Sequence, residues 1–263
     1  VPKILKQRHN KGVGAALLLT GGMARTRSWQ YRPASDRLTH IVEQTRIRIL
    51  GPDCLGLVVP WRKLNASLLH VPVRAGNIAY LGQSGTLAAG VLDWAFSRNV
   101  GFSHVLTLGR TQDVTLSDLI DFIVQEPHVK TLLIQLDEIG SGRTLIRSLR
   151  AASRHKLVLA VKSNRFQENP LNRIATPRGL LSRDALIDET LARAGVLRVS
   201  ATDEMFDCVD ALRRQRESFG PRLAVVANGR GPAIMALDRL LMDGGVLAQL
   251  SDETRTHLRG LLP

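Results

Sequence analysis

Glycines and hydroxyls cluster where this chain could hold an anion. Gly82-Gln83-Ser84-Gly85-Thr86 lies between an apolar run, Asn77–Leu81, and a stretch of helical period that reaches about Arg98. Small residues at such a junction let backbone N–H groups and hydroxyls approach a phosphate, a phosphoryl group or a pantetheine end at a helix N-terminus. The same glycines also suit a tight βα turn. Gly51-Pro52-Asp53-Cys54-Leu55-Gly56 is a second turn, with glycine at both ends and a thiol between them. A lone cysteine usually packs as a small hydrophobe. No histidine stands beside Cys54 to activate it, so this turn is expected to act through its backbone.

Asp137-Glu138 follows the apolar run Thr131–Leu136. Carboxylates at the C-terminal edge of a parallel sheet lie where ligands bind, and acidic residues also suit a helix start. Lys162-Ser163-Asn164-Arg165 and Asn228-Gly229-Arg230-Gly231-Pro232 are further polar turns after strands. The seven histidines, His9, His40, His70, His104, His128, His155 and His257, are dispersed. No HExxH, GxSxG or GxxxxGK[ST] occurs, so no metal site, hydrolase elbow or P-loop is expected.

These turns need strands and helices to carry them. Apolar runs at 15–20, 47–50, 56–59, 77–81, 103–108, 131–136, 157–161, 196–199 and 223–227 alternate with amphipathic stretches at 33–46, 86–98, 116–125, 144–153, 184–194, 202–214, 233–242 and 251–261. Such alternation predicts an α/β fold with a parallel, doubly wound sheet and right-handed crossovers. Residues 60–76 lack a sustained period and read as a connector. The strand, glycine loop and helix at 78–98 recur at 223–242, which suggests two related modules.

Composition narrows the class. The 263 residues are 44% hydrophobic, enough for one large core or two ordinary ones. No apolar run is long enough for a transmembrane helix, and the N-terminus reads as neither signal nor anchor. Cys54 and Cys208 are too few for a disulfide framework, so a reducing cytoplasm is expected. The formal charge of +13 is spread over scattered arginines, and aromatics make up only 4%, so nucleic acid is not an expected partner.

The order of these pieces resembles one family. The turn Gly51–Gly56, Leu64-Asn65-Ala66, Gly76–Ala79, Gln83–Leu87, Leu92-Asp93-Trp94, Gly101-Phe102-Ser103, Leu108-Gly109, Val161-Lys162-Ser163, Ala194-Gly195-Val196 and Leu250–Thr254 are similar to the NDP-forming acyl-CoA synthetases, relatives of succinyl-CoA ligase. The resemblance runs from Lys11 to the end. It implies a partial Rossmann-like CoA-binding domain at 1–60, a connector at 61–76, a flavodoxin-like ligase domain at 77–218 and a second, truncated ligase-like domain at 219–263. It implies that Gly51, Pro52, Asp53, Cys54 and Gly56 lie against CoA or acetyl-CoA, and that Gln83, Ser84, Gly85 and Thr86 hold phosphate. Glu138 would match the glutamate that orients a phosphorylated histidine. That histidine's place falls at about Thr176, and a threonine hydroxyl cannot carry the phosphoramidate.

The resemblance therefore implies a region without a catalytic residue of its own and without ligase turnover. Cys54–Trp61 with Lys63–Ala66, His70-Val71-Pro72 and Pro232–Asp238 look most like the Pat-type bacterial protein-lysine acetyltransferases. There a degenerate synthetase region senses acyl-CoA beside a C-terminal GNAT domain that acts on protein substrates. ATP or ADP, an ATP-grasp region and the GNAT region would belong to a parent chain, and homo-oligomers are compatible with this reading. The alternatives are the α-part of an ADP-forming acetate–CoA ligase, and a free-standing CoA-binding module or decayed fragment.

Overall fold

A computed structural model of the chain describes residues 2–9, 11–19, 34–137, 142–163, 183–214 and 220–261. The chain divides into two compact units, residues 1–209 and 210–263.

The first unit opens with helix α1 (Pro2–His9), strand β1 (Ala15–Leu17), helix α2 (Ala34–Thr45) and strand β2 (Arg48–Leu50). β1 and β2 pair in parallel, Ala16 opposite Ile49. Leu5, Leu18, Leu38, Ile41, Ile47 and Ile49 close a small core between this pair and the two helices.

Strands β3 (Gly56–Val59) and β4 (Leu64–Ser67) follow, joined by a 3-10 turn at Pro60–Arg62. Lys63 takes a left-handed conformation, φ 51°, to close that turn, and its N–H donates to the Pro60 carbonyl. Then come β5 (Ala75–Gly82), α3 (Gly85–Ser97), β6 (Phe102–Thr107), α4 (Leu116–Val124), β7 (Thr131–Leu136), α5 (Gly142–Ser153), β8 (Leu157–Lys162), α6 (Arg183–Arg193), β9 (Leu197–Val199) and α7 (Thr202–Arg214). Seven strands form one sheet in the order β4-β3-β6-β5-β7-β8-β9. The five strands from β6 to β9 are parallel, whereas β3 runs antiparallel to both β4 and β6.

The α/β expectation holds, with a parallel-dominated sheet. Two details differ from it. The apolar run 56–59 does not pair with β2; it crosses to the large sheet, where Val58 lies opposite Val105. The stretch read as featureless, 60–76, contains the 3-10 turn and β4. An edge strand such as Leu64-Asn65-Ala66-Ser67 buries little and so shows no hydrophobic alternation.

Strands covered on both faces are buried along their whole length and are mostly apolar. All six residues of β6 and all six of β7 are buried accordingly. One core layer joins Leu81, Leu132, Ile134 and Ala160 of the sheet to Ile120 and Ile123 of α4, Leu149 of α5 and Leu191 of α6. Each such fully buried side chain contributes about 1.5–3 kcal/mol of apolar burial. α3 buries Ala88, Val91, Leu92 and Ala95, and its Trp94 stacks on Phe206 of α7 at 4.1 Å between centroids. At the start of α4, Thr115 accepts from the Asp118 N–H while the Asp118 carboxylate accepts from the Thr115 N–H, a reciprocal cap.

The second unit holds β10 (Arg222–Leu223), α8 (Arg230–Met242), β11 (Val246–Leu247) and α9 (Asp252–Leu261). β10 and β11 pair in parallel. The predicted strand at 223–227 shortens to two residues. Ser251 caps α9 by accepting from the Thr254 N–H at 3.1 Å. Among the described residues, no helix is long and apolar enough to cross a membrane.

Candidate functional site

Within the parallel part of the sheet, β5 is central, and the chain passes first to β6 on one side and then back across to β7 on the other. Neighbouring loops therefore diverge above the C-terminal ends of β5 and β7. Open α/β sheets bind ligands in that crevice.

A cavity of about 1000 Å³ lies there, lined by Asp53, Gln83, Ser84, Gly85, Gly109, Arg110, Asp118, Asp137 and Thr144 among others. The two turns singled out in the sequence thus meet on one wall. Ser84 caps α3, with its hydroxyl accepting from the Leu87 N–H at 3.3 Å. Gly85 has no room for a side chain without displacing Leu55: an added Cβ would sit 2.8 Å from Leu55 Cγ. Thr86 is exposed on the first turn of α3.

The turn 51–56 is fastened on three sides. The Cys54 thiol is buried and donates to the Leu18 carbonyl at 3.4 Å. Burial pushes its pKa up, so it is a packing group rather than a thiolate. Gly51 and Gly56 take φ of +95° and +111°, conformations that L side chains rarely adopt. Gly51 and Pro52 are buried, as is Gly56. Asp53 pairs with Arg110 at 3.1 Å, and the Arg110 N–H donates to the Pro52 carbonyl at 2.7 Å. Asp53 Oδ1 is buried with no hydrogen-bond partner among the described residues.

Of the residues singled out in the sequence, Asp53, Gln83, Ser84 and Gly85 line the cavity, and Gly51, Pro52, Cys54 and Gly56 shape the turn beneath it. Glu138 and Thr176 lie outside the described residues. The cavity also enlists Asp137, Gly109, Arg110, Asp118 and Thr144. The sequence placed Asp137 at a sheet edge. It had no means of marking Asp118 or Thr144, which reach the cavity only because α4 and α5 begin at the same edge. Below the cavity, burial pushes the Tyr80 phenol pKa up, and the charge of Asp137 adds to the effect.

A parallel sheet of order 2-1-3-4-5, with its cavity at the switch point and a serine-capped helix at the cavity wall, defines a flavodoxin-like α/β fold. The family described as succinyl-CoA ligase-like flavodoxin domain matches residues 75–212, more than half of the chain, and the chain belongs to it.

Relatives agree along the whole length. The chain is 27% identical over 263 residues to acetate–CoA ligase [ADP-forming] II subunit alpha of Pyrococcus furiosus, spanning 57% of that protein. It is 27% identical to acetate–CoA ligase [ADP-forming] I of Archaeoglobus fulgidus, covering all of this chain and 38% of that one. The fold matches the dinucleotide forming acetyl-coenzyme A synthetase 1 of Ca. Korarchaeum cryptofilum, solved with phosphate and ADP, at a TM-score of 0.86 and 23% identity, over 99% of this chain and 56% of that one. A Pyrococcus horikoshii protein matches at 0.82 and 25%, over 100% and 56%.

These relatives overturn the expected non-catalytic region of a protein-lysine acetyltransferase. They are ADP-forming acetate–CoA ligases, and they match the chain from end to end. Two of the residues that favoured the acetyltransferase branch serve packing in this fold. Cys54 packs against Leu18, while Trp61 stacks on His128 and donates to the Gly76 carbonyl.

Proposed function

We propose that this chain is the α-type, acyl-CoA-forming part of an ADP-forming acyl-CoA ligase. One observation carries the reading: Asp53 of the turn 51–56 and Gln83, Ser84 and Gly85 at the start of α3 line a single cavity at the switch point of the sheet. The names of the relatives, acetate–CoA ligases, supply the substrate class.

In this reading Gly51, Pro52, Asp53, Cys54 and Gly56 form the wall against CoA. Gln83, Ser84, Gly85 and Thr86 form the phosphate cradle at the N-terminus of α3, where the helix dipole favours negative charge. Residues 1–60 supply the CoA-binding part, 61–76 the link, 77–218 the ligase-like domain, into which β3 and β4 extend, and 219–263 a second ligase-like unit. A separate nucleotide-binding part of ATP-grasp type would exchange ATP and ADP.

The step assigned to this cavity is thiolysis of an acyl phosphate. The CoA sulfur attacks the acyl carbon, the S–C bond forms, the bond from that carbon to the bridging oxygen breaks, and phosphate leaves with that oxygen and the thiol proton toward the N–H groups of α3. This step needs no histidine, so it is compatible with the stretch free of histidine between His155 and His257.

The test runs the step backwards, on the full chain without a nucleotide partner. Acetyl-CoA and [³²P]phosphate should yield labelled acetyl phosphate and free CoA, and calorimetry should give saturable heat with acetyl-CoA. No label and no heat would remove this function.

A further inference from the structure

Gln135 interrupts the apolar run Leu132–Leu136 of β7, and it is 1% exposed. A buried amide must satisfy two N–H donors and an oxygen acceptor or destabilise the fold. Here all of that capacity is used. The side-chain oxygen accepts from the backbone N–H groups of Gln83 at 2.9 Å and Ser84 at 2.7 Å. The side-chain nitrogen donates to the Asp137 carboxylate at 2.8 Å and to the Ser163 hydroxyl at 3.2 Å. The opposite amide orientation would set donors against donors and oxygen against carboxylate, so the four partners fix it. The clasp is reciprocal: the Gln83 side chain accepts from the Asp137 N–H at 2.5 Å.

This circuit divides the donors at the start of α3. Gln135 consumes the N–H groups of Gln83 and Ser84, and the Ser84 hydroxyl takes that of Leu87. Gly85 and Thr86 keep N–H groups with no partner among the described residues. Two adjacent donors suit one tetrahedral anion. On its other side, Gln135 and the Ser163 hydroxyl both donate to the Asp137 carboxylate at the same cavity wall.

We propose that Gln135 is the positioning residue of this site, choosing which backbone donors meet the anion and holding Asp137 beside it. The inference rests on the reading of the cavity as the phosphate site of an acyl-CoA ligase. Q135E tests it with almost no change in shape. The new carboxylate still accepts from Gln83 and Ser84 but cannot donate to Asp137. Two carboxylates then face each other where an amide had joined them, with the buried Lys162 ammonium donating to the neighbouring Asp137 and Ser163 carbonyls. Q135E/D137N restores the circuit with donor and acceptor exchanged.

The probe is inorganic sulfate, which does not titrate in the neutral range, followed through the Gly85 and Thr86 amide signals in ¹⁵N–¹H spectra of the full chain. Wild type should show saturable shifts at both. Q135E should bind roughly tenfold more weakly at about pH 8, and its affinity is followed down to about pH 6. The double variant should return to within about threefold of wild type at both pH values. Wild-type affinity for Q135E at the higher pH, or a double variant that fails to fold or to recover, would each overturn the role of Gln135. Absence of sulfate shifts in wild type would instead remove the anion site and the ligase reading with it. If Q135E alone does not fold, the double variant decides by the same criterion.

Discussion

Thr107 and Gly56 exchange two hydrogen bonds: the Gly56 N–H donates to the Thr107 hydroxyl oxygen at 3.0 Å, and that hydroxyl donates back to the Gly56 carbonyl at 3.2 Å. The Leu55 N–H donates to the same oxygen at 2.8 Å. Thr107 is 1% exposed, so water cannot replace it. This one side chain ties the turn 51–56 to the end of β6. Thr107→Val keeps the shape and leaves two backbone N–H groups unpaired, which should cost about 2 kcal/mol. Urea unfolding measures the loss. Thr107→Ser should recover most of it, and acetyl-CoA affinity should fall with Val and return with Ser.

Gly109 faces the other side of the same turn. Its φ is +59°, and an added Cβ would lie 2.3 Å from the Pro52 carbonyl oxygen and 2.5 Å from the Asp53 carbonyl carbon. These are backbone atoms and cannot rotate away. Gly109→Ala must push the 51–54 turn out of place and should cost about 1–3 kcal/mol. Acetyl-CoA binding measured by calorimetry should weaken further than the stability loss accounts for, because the displaced turn is the cavity wall. Wild-type affinity in this variant would show that the turn does not touch the ligand.

His104 supplies a pH signature. It sits on β6 at 5% exposure, its Nδ1 has no partner among the described residues, and Phe122 meets its ring edge-on. Burial lowers its pKa, with Glu126 pulling up and Arg62 pushing down. The folded state therefore prefers the neutral ring, whereas the unfolded chain takes up a proton near pH 6.5. This contribution to stability is fully present above about pH 6.5 and is lost as pH falls from there toward the lower folded value. The urea midpoint should drop between about pH 7.5 and 5.5, and His104→Leu should flatten that drop. Equal slopes for the two proteins would assign the acid sensitivity to other groups.

The strand–helix alternation and the positions of most strands were legible because buried parallel strands are predominantly apolar, as Leu132-Leu133-Ile134 and Leu136 are. β4 and the destination of β3 were not. Gly56–Val59 has the same apolar look whichever sheet it joins, and an exposed edge strand carries no periodic signal. The site was legible in part. Gly51–Gly56 and Gly82–Thr86 declare themselves through residues that only unusual backbone requires. Gln135 carries a signal of another kind, since a buried amide inside Leu-Leu-Ile-Gln-Leu demands partners. Its partners lie about fifty residues away at Gln83 and Ser84, beyond the reach of any local pattern.

By itself, the sequence determined the class of fold, the family likeness and the two glycine turns, because these depend on local periodicity and on backbone conformations open only to certain residues. Tertiary structure alone decided that the two turns share a cavity, that Cys54 is packing rather than chemistry, and that Gln135 allots the donors of α3. Those outcomes follow from strand order, which sets C-terminal strand ends side by side in space regardless of their distance along the chain.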